Sequence, residues 1–147
     1  MSIIPIDVAM QHVYADEADQ AQVERKLSAA IESAEQYIGR RIYATADELS
    51  AARVSAAAKL PEVVQVAIAP MLDEYTTQMM REVNEEAKYE LTMQLRGIVV
   101  NDALETGILL ILGDLYANRE NTTDKAANEL PMGAKFHLQP FRRMLGV

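Results

Sequence analysis

Apolar residues in this chain recur mostly at intervals of three and four, the period of a helix that buries one face. Ile6, Ala9, Met10 and Val13 share one face of a short first helix. Asp16, Glu17 and Asp19 then offer an anionic start to a second helix, favourable beside unpaired backbone N–H groups. Val23, Leu27, Ala30, Ile31, Ala34 and Ile38 form a continuous stripe along it. Gly39 supplies a stop, with Arg40 and Arg41 placing positive charge at the carbonyl end.

Thr45 and Glu48 fit a capping box that opens an Ala-rich run, Ala51-Ala52 and Ala56-Ala57-Ala58, with a small face suited to close approach. Pro61 and Pro70 punctuate the next stretch, because proline is costly beyond a first helical turn. They predict either a short helix between them or one long helix kinked at Pro70. From Met71 to Arg96 there is neither Gly nor Pro. Leu72, Tyr75, Met79, Val83, Ala87, Leu91 and Leu95 trace a slanted contact stripe there. Asp73 to Glu90 holds six acidic and two basic residues, a net of -4. Such a segment is either an arm reaching a neighbouring subunit or half of an antiparallel hairpin. Gly97 ends it, and Ile98-Val99-Val100 has extended propensity.

Asn101 or Asp102 caps the next helix, which runs to about Arg119. Its broad face of Leu104, Ile108, Ile111, Leu112, Leu115 and Tyr116 makes it the centre of the core. Gly107 and Gly113 permit close crossing there. The expected fold is therefore mainly α: a small helical bundle with one long central helix or helical hairpin and a C-terminal docking segment. Residues 1–120 form the helical domain and 121–147 a tail that packs on it or on a neighbour. Pro131, Gly133, Pro140 and Gly146 divide that tail, and Pro131 with Gly133 predicts a turn. Phe136, Leu138 and Phe141 are expected to pin it to a hydrophobic groove.

Composition narrows the chemistry. The 147 residues are 50% hydrophobic and carry a formal charge of -8, which disfavours a phosphate-gripping surface. The charge is uneven: 121–147 holds four basic and two acidic residues, a net of +2, against -10 before it. The tail thus suits an acidic surface on another subunit or protein. With no Cys and only His12 and His137, disulfides, thiolate chemistry and metal ligation have little to work with. Glu82 and Glu86 share a helix face, which reads as solvated more readily than as a cation site. No catalytic, cofactor or metal residues are assigned. Met1 to Val8 does not read as a secretory signal, and Ile108 to Leu112 is too short to span a bilayer. The expectation is a soluble, intracellular chain with no membrane contact.

The run Ile108 to Glu120, ending Leu115-Tyr116-Ala117-Asn118-Arg119-Glu120, resembles the central helix of the head–tail connector (head completion or adaptor) proteins of HK97-like tailed bacteriophages. Two later pieces strengthen the likeness, Leu130-Pro131-Met132-Gly133 and Pro140-Phe141-Arg142, as do the first two helices. Residues 44–100 are longer than the compact family pattern. The resemblance implies a mainly helical, non-enzymatic virion protein, present in the host cytoplasm before assembly. It would form a ring, twelvefold in the virion, beneath the portal protein. There it would extend the DNA channel and receive a tail-side completion protein, with weak or no specific DNA binding. Subunit or partner contacts are expected at Tyr116, Arg119, Glu120, Leu130, Pro131, Gly133, Phe136, Phe141 and Arg142. Tyr116 also suits a core position with a wet hydroxyl, and Arg119 a bidentate pair with a neighbour's carboxylate. A helical regulatory or scaffold protein binding a single partner would use the same amphipathic faces.

Overall fold

The computed structural model describes residues 2–66, 74–118 and 129–143. In chain order the elements are α1 (Ile6–His12), a 3-10 turn (Glu17–Asp19), α2 (Gln20–Ile38), β1 (Ile42–Tyr43), α3 (Ala46–Val66) and α4 (Glu74–Leu95). They continue with β2 (Ile98–Val99), α5 (Asp102–Ala117), α6 (Met132–Leu138) and a second 3-10 turn (Gln139–Phe141). The fold is mainly helical, as the periodicity predicts.

The core lies between α2 and α5. Val23, Leu27, Ala30, Ala34 and Ile38 of α2 meet Leu104, Ile108, Ile111 and Leu112 of α5, all buried. Each large aliphatic side chain enclosed this way contributes about 1.5–3 kcal/mol. α1 closes one side through Ala9 and α6 another through Ala134 and Leu138. Gly39 ends α2 in the left-handed conformation at φ 66°. Asn101 caps α5 by accepting from the Leu104 N–H at 3.0 Å. The acidic cluster stands directly before α2, as the sequence predicts, but caps it with no side-chain bond. Asp16 and Asp19 make no capping bond to α2 or to the turn before it, and Asp19 instead accepts from the Tyr116 hydroxyl at 2.9 Å.

α3 and α4 form the antiparallel hairpin of the two alternatives left open for the long segment. Both ends are anchored at one place. β1 and β2 pair in parallel, Ile42 opposite Ile98 and Tyr43 opposite Val99, so the hairpin is the crossover that parallel pairing requires. The Thr45–Glu48 box forms at the start of α3: Thr45 Oγ1 accepts from the Glu48 N–H at 3.2 Å. The Glu48 carboxylate reaches back to the N–H of Ala44 at 3.1 Å. Ala56 is buried in the hairpin, as are Leu91 and Met93.

Of the two alternatives for this stretch, a short helix beginning at Pro61 does not form. α3 runs through Pro61 to Val66 without starting a new segment. Pro61 and Ala57, whose carbonyl loses its i+4 donor, are both exposed, so water can replace the missing bond. Pro70 lies outside the described residues, as do Met71 and Leu72. The stripe along α4 is buried at its base and exposed farther out. Leu91 is buried, whereas Met79 and Val83 are 54% and 62% exposed. No helix among the described residues is long and apolar enough to cross a membrane.

Candidate interaction surfaces

The Leu130–Gly133 stretch is the start of a helix, not the turn its Pro and Gly predict. Pro131 sits at the N-cap of α6, where its fixed φ and missing N–H cost nothing. Its carbonyl accepts from the Lys135 N–H at 3.0 Å. Gly133 lies inside α6, and a side chain there would come within 3.3 Å of Leu110 Cδ1. Its smallness serves the approach of α6 to α5. Gly107 does the same more stringently, since a Cβ there would lie 2.9 Å from Leu138. Gly113 has room for one, its nearest neighbour being His12 at 3.6 Å. α6 therefore lies antiparallel on α5, with Leu138 filling the space that Gly107 leaves.

This packing divides the tail's apolar residues. Leu138 is fully buried, while Leu130 and Phe141 are partly buried against the core. Phe136 does not pin the tail as expected. It is one of two large apolar side chains that α6 turns outward, Met132 at 87% exposure and Phe136 at 76%. The buried face of so short a helix has room for Ala134 and Leu138 only. The ring of Phe136 stands edge-on to His137 with centroids 5.6 Å apart. Beside it a shallow cavity of about 440 Å³ is lined by Ala103, Phe136, His137, Gln139, Pro140 and Phe141. Arg142 is exposed and places its guanidinium 5.1 Å from the centre of the Tyr37 ring.

Tyr116 keeps its ring against the core with its hydroxyl on Asp19. It lies 13 residues along α5 from Ala103, about 20 Å. The structure thus gathers Leu130, Pro131, Gly133, Phe136, Phe141 and Arg142 in and beside α6, with Tyr116 six residues, about 9 Å, along α5 from the Leu110 that Gly133 approaches. Arg119 and Glu120 lie outside the described residues.

The hairpin carries a second apolar face, on the contact stripe that the sequence pattern traces along α4. Between α3 and α4 a groove of about 470 Å³ is walled mainly by Val63, Met79, Met80, Val83 and Ala87, with Glu62 at its edge. Glu82 and Glu86 stand exposed on the same stretch of α4. No group of three or more metal-capable side chains occurs among the described residues.

Where the hairpin joins the core, arginines converge. Arg40 and Arg41 do not simply face the end of α2. Arg40 donates through Nε to the Arg96 carbonyl at 2.6 Å, and both Arg40 and Arg53 reach the Gly97 carbonyl, at 3.4 and 3.2 Å. Arg53 also donates to the Leu95 carbonyl at 3.1 Å. These bonds satisfy carbonyls that α4 leaves open at its C-terminus. Burial lowers the Arg40 pKa, and the nearby charges of Arg143, Arg53 and Arg96 lower it further. Arg41 turns the other way, bonding Glu35 at 2.5 Å and Glu90 at 2.6 Å. Burial opposes its charge, but those two carboxylates outweigh burial and raise its pKa. This convergence draws on residues up to 103 positions apart, Arg40 and Arg143, so no sequence spacing announces it.

No family model, curated protein or solved structure matches the chain.

Proposed function

We propose that this chain is a structural, non-enzymatic subunit that assembles side by side into a ring at the head–tail junction of a tailed bacteriophage. In that reading it sits beneath the portal protein in the virion, twelvefold like the portal. It extends the DNA channel and offers its far side to a tail-completion protein. The observation that carries the reading is the presence of two separate exposed apolar faces on one small chain, on the α3–α4 hairpin and on α6. A ring needs two unlike patches, each meeting the other on a neighbour. Exposed apolar clusters on a folded domain mark contact sites. The ordered motifs from Leu115 to Arg142 supply the phage assignment. The acidic composition favours a channel that DNA passes without sticking.

Electron microscopy of the purified chain mixed with its portal tests this directly. Annular density coaxial with the portal is expected. A discrete one-to-one complex would instead support the single-partner adaptor and reject the ring. Filter binding at physiological salt is expected to find weak or no DNA retention, and tight retention would overturn that part.

A further inference from the structure

Outward from its base, α4 makes its last polar contact with the core, among the described residues, at Tyr89, whose hydroxyl meets Gln36 at 3.1 Å. Val83 and Met79 lie about 9 and 15 Å farther along the helix. The groove they wall therefore stands on the part of the hairpin that leaves the core. The chain's own α6 is held elsewhere, by Leu138 seated against Gly107.

We propose that this groove receives α6 of a second copy, with Met132 and Phe136 of one protomer set against Met79 and Val83 of the next. The pairing rests on the ring reading and names its contact. Among the described residues, the large exposed apolar side chains outside the hairpin are Tyr14, Met132 and Phe136. Tyr14 stands by itself on the stretch after α1, whereas Met132 and Phe136 are four residues apart on one helix and share a face. Met79 and Val83 have the same spacing. Ridges of that spacing on two helices interdigitate, crossing at roughly 50°.

Charge agrees with shape. Glu62 stands at the edge of the groove, while Lys135 lies on α6 next to the ridge residue Phe136. Among the described residues, the Lys135 ammonium makes a long contact of 3.8 Å to Glu129 within its own chain. Opposite potentials of this kind steer encounter and set register. Because groove and ridge lie on different elements, each copy offers one of each. The contact is heterologous and propagates from copy to copy.

The absence of cysteine from the sequence makes the test clean. Val83→Cys and Phe136→Cys are made singly and together in the full chain, with circular dichroism confirming unchanged helicity. Each is treated with a short bismaleimide, with and without portal. A covalent dimer is expected when the two single variants are mixed, well above either alone, and the double variant should give a ladder of higher species. No excess of dimer in the mixture, or efficient dimers from one single variant alone, overturns the contact. Annuli on the portal without such crosslinks reject this interface and leave the ring reading standing. A ladder from a protein that never forms annuli keeps the interface and rejects the ring.

Discussion

Replacing Glu35 by alanine should loosen the joint between the helical core and the hairpin. Glu35 is 6% exposed at the end of α2. One carboxylate oxygen accepts from the Ile42 N–H at 2.8 Å and the other from the Arg41 guanidinium. Alanine strands a buried N–H at the start of β1, which costs about 1–2 kcal/mol. It also removes a charge-assisted bond worth about 1.5–3 kcal/mol when well shielded. That second quantity shrinks to about 1 kcal/mol here, because the Arg41 side chain is 29% exposed and keeps Glu90 at 2.6 Å. The expected loss is about 2–3 kcal/mol. Glu35→Gln retains an oxygen for the Ile42 N–H and should lose only about 1 kcal/mol. Urea unfolding followed by far-UV circular dichroism measures both, with the slope m checked for constancy. If Glu35→Ala lies within about 0.5 kcal/mol of the parent, or Glu35→Gln is as damaging as alanine, the carboxylate is not the tie that its geometry describes.

Leu138→Ala should cost about 2–5 kcal/mol, since it empties the space that Gly107 leaves between α5 and α6. Differential scanning calorimetry should show a clearly lower Tm, and an unchanged Tm would mean that α6 is not docked. Pro61→Ala should stabilise the protein by about 1–3 kcal/mol, because it restores a hydrogen bond and a good helix former inside α3. Urea midpoints check this, and a lower midpoint would show that the proline relieves some other constraint.

Much of the fold was legible because local rules and tertiary packing agree along α1, α2 and α5. Val23, Leu27 and Ile38 are spaced as one face and are buried as one face. Gly39 and Asn101 act where their backbone and side-chain chemistry requires. Proline and glycine were less readable, since each serves more than one purpose. Pro61 passes through a helix on its wet side, and Gly133 sits inside α6 for closeness instead of bending the chain. Periodicity likewise marks a face without saying whether the same chain covers it. The stripe from Met79 to Leu91 is regular throughout, yet only its base end finds partners. For the contact surfaces, motif order pointed to the tail but joined Tyr116, whose hydroxyl is held by Asp19, to outward-facing residues such as Phe136 on α6. The arginine convergence at Gly97 needed three dimensions, because it joins four separate stretches of chain.

The parallel bridge between Ile42 and Ile98 clamps both feet of the hairpin at one place. They stand side by side there, so whatever the arms do farther out starts from one fixed footing on the body. Lengthening both arms by seven residues would carry the tip outward by about 10 Å and keep the footing unchanged. Reach is thereby uncoupled from the stability of the body that bears it, and a graft of another length could be accommodated without redesigning that body.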